Sequence, residues 1–204
     1  MKYTFTLLKD GDDSAREKIV LESRSSESPR HIVLKILAYL LFRDRTGGLP
    51  LRIEPGEIGQ RHRPDLLAAQ PLTEKPLLWI DCGQIEPKRL GRIAASNNDA
   101  RIVIVKQTAR EAELYAAVAK KELPVLGVGA ARFVGYLGFA EGFTARTIAL
   151  LRGANTVCLR ASPDDGIQFE MNGDTVSTPL TIFSGDAKTL ATADFWDATA
   201  IKSE

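Results

Sequence analysis

The sequence predicts a mixed α/β domain: a mixed sheet flanked by helices, with additional strands at the amino- and carboxy-terminal ends. Three observations predict it. Apolar and polar residues alternate in YTFTLL and KIVLES near the start, and again in IQFEM and TVSTPLTIF near the end. Between them several segments carry apolar residues at helical spacing. The runs LLWIDC and RIVIVK are almost wholly apolar, as strands buried in a core are.

The elements follow in order. YTFTLL and KIVLES read as two strands joined by the polar GDDSARE, a hairpin or short loop. From Pro29 to about Arg43, Ile32, Val33, Ile36, Leu37, Leu40 and Leu41 recur at helical spacing, with Ser28 as N-cap and Pro29 in the first turn. This helix has a broad apolar face and packs on a sheet. GGLP ends it. LRIE, PDLLAA and LLWIDC are then three short strands, PKRLGRIAAS is a helix, RIVIVK a strand, and TAREAELYAAVAKKE an amphipathic helix capped by Thr108. Strand, helix, strand, helix implies crossover connections and a partly parallel sheet. GFTARTIALLR reads as a short helix after the glycine-rich LPVLGVG and RFVGYLG. TVCLRA, IQFEM and TVSTPLTIF form a β-meander with turns at SPDDG and NGD. One domain is expected over residues 1–185, with residues 186–204 a poorly structured tail.

Composition bounds the function. With 204 residues, 27 basic and 26 acidic side chains and a net charge of +1, nothing demands a nucleic acid partner, although one is compatible with the chain. Charge is unevenly spread: residues 84–110 hold six Lys/Arg against two acids, and residues 161–204 hold two against eight. Two cysteines, Cys82 and Cys158, do not make a disulfide scaffold or a zinc site. The start meets acid before any long apolar run, so the reading is of a cytoplasmic protein with no membrane partner.

The chemistry points to strand ends. On a pleated strand Trp79, Asp81 and Gly83 share one face, and Leu78, Ile80 and Cys82 the other. Asp81 therefore emerges where a buried strand stops, and a charge there is costly unless paired, hydrated or bound to a metal. Asp65, in RHRPDLLAA, sits the same way at another strand border. Two carboxylates on neighbouring strands can converge on one hard cation. His31 and His62 lack the spacing of zinc ligands and are read as surface or capping residues. Cys82 reads as a small buried strand residue, since no histidine is placed to activate it. GVGAARFVG has no Walker-A lysine. Arg30, Lys35, Arg43 and Arg45, around the first helix, are within reach of phosphates in principle and are read as solvated charges.

Pro64-Asp65 and Asp81-Cys82-Gly83, in this order of elements, resemble the PD-(D/E)XK nuclease superfamily. SESPRHIVLKILAYLLF, LWIDCG before a basic helix, and TVCLRA, IQFEM and TVSTPLTIF resemble the YaeQ family of small bacterial proteins. The resemblance implies a restriction-endonuclease-like sheet and cleavage of phosphodiesters in nucleic acid, dependent on Mg²⁺ or Mn²⁺. It implies that Asp65 and Asp81 hold the cation, that the Cys82 carbonyl adds a ligand, and that Glu27 is a further acid near the first helix. The superfamily's lysine is expected at position 83, where this chain has Gly83. Lys88, at the start of the next helix, is the preferred replacement and Lys106 the second choice. The alternative is a catalytically inactive nuclease fold kept as a binding or interaction module, which Gly83 favours. A third is a metal bound for folding only.

Overall fold

The computed structural model describes residues 1–9, 12–23, 27–56, 58–59, 61–125, 133–162, 166–199 and 201. Strands β1 (Lys2–Lys9) and β2 (Asp12–Glu22) pair antiparallel, from Lys2 opposite Glu22 to Leu8 opposite Arg16. The two strands form the expected hairpin, and most of GDDSARE, read from sequence as its connection, is strand. The reason is position: β2 is an edge of the sheet, where Arg16, Glu17 and Lys18 stay exposed, so strand pairing there does not require alternation.

Helix α1 (Pro29–Phe42) starts at Ser28 with Pro29 in its first turn, although the Ser28 side chain makes no capping bond. Every residue from Ile32 to Phe42 is buried, Lys35 included. The helix is enclosed rather than one-faced, lying between the sheet and α4 (Phe143–Leu150).

Three antiparallel strands follow, β3 (Arg52–Ile53), β4 (Leu66–Ala69) and β5 (Pro76–Cys82). Helix α2 (Pro87–Ser96) leads to β6 (Arg101–Val105), parallel to β5, and α3 (Ala109–Val125) leads to β7 (Phe133–Phe139), parallel to β6. Thr108 caps α3, its Oγ1 accepting from the Glu111 amide at 3.1 Å. The meander is β8 (Ala154–Ser162), β9 (Gly166–Met171) and β10 (Asp174–Ser184). Asn172 and Gly173 make its second turn with φ of 58° and 91°. The other expected turn, at SPDDG, falls mostly outside the described residues.

All the described strands form one sheet, ordered β2-β1-β8-β9-β10-β7-β6-β5-β4-β3. Strand β10 joins its halves, pairing with β9 through Asp174–Pro179 and with β7 through Leu180–Ser184. Apolar side chains fill both faces. Leu78, Ile80 and Cys82 of β5 belong to the core around α1, while Trp79 joins Ile102, Ile104, Ala112 and Ala116 under α2 and α3. Among the described residues no helix is long and apolar enough to cross a membrane.

The end of the chain corrects the expectation of a loose tail from residue 186. Thr192–Thr199 form helix α5, and its Phe195 is fully buried, with its ring edge-on to Phe42 at 6.0 Å. Burying one such ring contributes roughly 1.5–3 kcal/mol. The large apolar residues of this segment, Phe195 and Trp196, are adjacent, so no helical period shows in the sequence.

Candidate functional site

Pairing Leu66 with Ile80 sets Asp65, the residue before β4, beside Asp81 near the end of β5. The Asp65 amide donates to the Ile80 carbonyl at 3.0 Å, and the Cys82 amide donates to Asp65 Oδ2 at 2.7 Å. Asp65 thus fastens the last residues of β5. Asp81 is 5% exposed. Its Oδ2 accepts from Trp79 Nε1 at 2.9 Å, and Arg89 Nη2 stands 3.7 Å from its Oδ1. Burial first, and then the charge of Asp65, push the Asp81 carboxyl up to about 6. For Asp65 burial also acts upward, but the His31 hydrogen bond and charge, the Cys82 amide and Lys35 outweigh it and hold the carboxyl below its ordinary value.

On the α1 side, His31 Nε2 lies 2.9 Å from Asp65 Oδ1 and 3.6 Å from Glu27 Oε1. Lys35 Nζ donates to Glu27 Oε1 and, at 2.5 Å, to Glu54 Oε1, and lies 3.7 Å from Asp65 Oδ1. The solvated lysine expected from sequence is therefore a buried cation shared by three carboxylates. Arg43 and Arg45 are engaged too, Arg43 with Glu17 and Arg45 over the Trp196 ring at 4.2 Å. Sequence reasoning missed Glu54, Lys35 and His31 as members of the cluster. The spacing of Glu27, His31 and Lys35, each four apart, is a helical-face signal that points to the last two. Glu54 has no periodic signal; it stands in the left-handed region, with φ of 47°.

At position 83, where the resemblance implied a lysine, the backbone favours glycine. Its φ is 78°, so the chain leaves β5 in a left-handed turn that L side chains adopt only with strain. A Cβ there would lie 3.5 Å from His31 Nδ1, toward α1. Position 83 does not continue the face of Trp79 and Asp81, because the pleat ends at Cys82. Lys88, the preferred replacement, is exposed on α2 and makes no ion pair among the described residues. The α2 cation that reaches Asp81 is Arg89. Lys106, just past β6, is 5% exposed; its Nζ donates to the Gly83 carbonyl at 2.7 Å and sits 3.8 Å from the centre of the Tyr115 ring. Burial lowers its ammonium to about 8, against the opposing charges of Glu111 and Asp81. Cys82 is buried and its thiol is pushed well up by burial, which removes it as a nucleophile.

Among the described residues no three His, Cys, Asp or Glu side chains are arranged to hold a metal ion. Glu27, one of the expected acids, is taken by Lys35 and His31. Asp65 and Asp81 remain a carboxylate pair at the end of a strand that runs parallel to its neighbour β6, where crevices of α/β sheets open.

The sequence matches the family described as YaeQ protein over residues 10–128. No curated protein matches it. The fold resembles that of YaeQ protein from Xanthomonas axonopodis pv. citri, with a TM-score of 0.66 and 18% identity, covering 89% of this chain and 96% of that one. It also resembles YaeQ protein from Pseudomonas syringae, with a TM-score of 0.64 and 15% identity, covering 92% and 97%. At these identities the two structures speak for the fold. The family match spans more than half of the sequence, and on that ground the chain belongs to the YaeQ family.

Proposed function

We propose that the chain is a nuclease-like protein of the PD-(D/E)XK superfamily, with a restriction-endonuclease-like sheet, that cleaves phosphodiester bonds with the help of Mg²⁺ or Mn²⁺. One observation carries the reading: Asp81, buried, and Asp65, half-buried, stand at adjoining strand ends, and Asp81 is raised to about 6 by burial and by the charge of Asp65. The charge of the pair is offset only in part, by His31 and Lys35 at Asp65 and by Arg89 at Asp81. The pair suits a cation that takes one or two carboxylates and fills its other positions with water and phosphate oxygen, as Mg²⁺ does.

Asp65 and Asp81 would hold the cation, which would supply Lewis-acid polarisation of a phosphoryl group and activation of a water. The residues do the rest. His31 and the Cys82 amide orient Asp65, and Trp79 Nε1 orients Asp81. Lys106, steadied by the Gly83 carbonyl, carries the positive charge that the superfamily places at position 83; it takes over the role first given to Lys88. Glu27 acts through His31 and Lys35.

Calorimetry with Mg²⁺ and Mn²⁺ on wild type and Asp81→Ala tests the reading, followed by incubation with single-stranded, duplex and branched substrates. Binding that disappears in the variant, with cleavage that follows it, supports the proposal. No binding at millimolar cation overturns it. Cleavage that survives in Asp65→Ala plus Asp81→Ala belongs to a contaminant. The second reading, a non-catalytic binding module, is favoured by Lys35, which neutralises part of the acid cluster without any metal. Metal binding that raises thermal stability without cleavage leaves a folding role alone.

A further inference from the structure

The basic middle of the sequence is not absorbed by the acid pair. The fold sets part of it beside the site, next to a second basic segment from residues 61–63. Arg61, His62 and Arg63 immediately precede Pro64-Asp65, and Lys88, Arg89 and Arg92 occupy the first two turns of α2. Arg89 ties the segments together, since its Nη2 donates to the Arg63 carbonyl at 3.2 Å while facing Asp81 at 3.7 Å. His62 lies close enough to Arg89, Arg61 and Arg92 that their charges, after burial, hold its ring below the ordinary histidine value.

Two features mark this cluster as a surface for an anion. Arg61, Lys88 and Arg92 are exposed and make no ion pair among the described residues. Arg89 Nε and His62 Nε2 are both shielded from solvent with no hydrogen-bond partner among the described residues. These two nitrogens leave the cluster with more donors than acceptors, and its exposed members, Arg61, Lys88 and Arg92, are the ones that an anion reaches. Phosphate oxygens suit guanidinium forks in geometry and charge.

We infer that Arg61, His62, Lys88, Arg89 and Arg92 form a binding surface for the phosphodiester backbone of a nucleic acid strand, leading it to Asp65 and Asp81. The inference rests on the proposed function for what happens after binding; binding itself requires no metal. A net charge of +1 is no obstacle, because the phosphates meet this cluster and not the average surface.

The test is fluorescence anisotropy with labelled single-stranded and duplex DNA oligonucleotides in EDTA, over a series of KCl concentrations. It compares wild type, Arg61→Ala/Arg92→Ala, and a control, Lys120→Ala/Lys121→Ala, whose residues are exposed on α3. Wild type is expected to bind with an affinity that falls as salt rises. Removing two phosphate contacts weakens binding about tenfold and lowers the slope of log affinity against log salt by about two. The control keeps wild-type affinity and slope. An unchanged melting temperature in all three proteins keeps folding out of the comparison. Absence of wild-type binding at low salt, or an equal loss in the control, overturns the inference. Binding that depends on Arg61 and Arg92 without cleavage in Mg²⁺ upholds this surface and sinks the catalytic reading. Cleavage with binding unchanged in the arginine variant does the reverse.

Discussion

Lys35 and Lys106 are both buried, at 3% and 5% exposure, yet they titrate in opposite directions. Burial opposes the charge of each. At Lys35, the hydrogen bonds it donates to Glu27 and Glu54 and the charge of Asp65 outweigh it, and the ammonium is held above the ordinary 10.5. At Lys106 the near partners are the Gly83 carbonyl and the Tyr115 ring, and the ammonium drops to about 8. A carboxylate replaces lost hydration of a cation; a carbonyl dipole and a ring face replace only part of it. Lys35 is therefore a permanent charge that holds acids together. Lys106 changes protonation in a range where chemistry operates.

The largest effect is expected from removing the permanent charge. Lys35→Met leaves Glu27, Glu54 and Asp65 clustered without their shared cation, which costs about 3–5 kcal/mol in urea unfolding at neutral pH. A loss well below that range would mean that the acids do not depend on Lys35, and the contrast with Lys106 would collapse.

Asp81→Asn comes next. The folded carboxyl titrates above its ordinary 3.8, so the folded state holds its proton longer, and stability falls as pH rises from about 4 to about 6. The amide keeps an oxygen for Trp79 Nε1 and cannot ionise. The metal-free variant should gain on the order of 2 kcal/mol at pH 7 and lose that part of the pH slope. Asp81 also raises Lys106, so the same substitution should lower Lys106 further. A destabilised variant would show that the ionised carboxylate is satisfied where it stands.

Gly83→Ala probes the support of Lys106. A side chain at φ of 78° is strained, and thermal unfolding should report a loss of about 1 kcal/mol. An unaffected melting temperature would mean that the turn is not left-handed.

The smallest effect separates the lysines by sign, in the alkaline dependence of stability. Between about 8 and 10.5 the unfolded chain holds the Lys106 proton that the folded chain has released, so this group makes stability rise with pH. Lys35 contributes stability that is complete below 10.5 and is lost as pH rises through its higher folded value. Lys106→Met should remove the rise, while stability at neutral pH changes by only about 1 kcal/mol or less, because relief of the buried ammonium is offset by the Gly83 carbonyl losing its donor. A rise that persists in the variant assigns the effect to another group.

Much of the fold is legible along the chain because its causes are local. The alternation of Leu78 and Ile80 against Trp79, the Thr108 cap and the Asn172-Gly173 turn all follow from neighbours within a few residues. The nearness of Asp65 and Asp81 was legible for the same reason, from an acid just before one strand and an acid near the end of its neighbour. Local pattern failed where it was ambiguous. Arg16 and Glu17 are polar at an edge strand, and α5 is two turns held by Phe195. It failed also where alternation stops, as at Gly83.

By itself, then, the sequence determined periods, caps, turns and an aspartate at the end of a buried strand, since each depends on φ, ψ and side-chain spacing within one element. Only the tertiary structure decided which charges meet. Glu54 comes to Lys35 from 19 residues away, and Lys106 comes to Gly83 from 23. Coulomb energy and desolvation depend on distance through space and on what else is buried nearby, and no spacing along the chain encodes either.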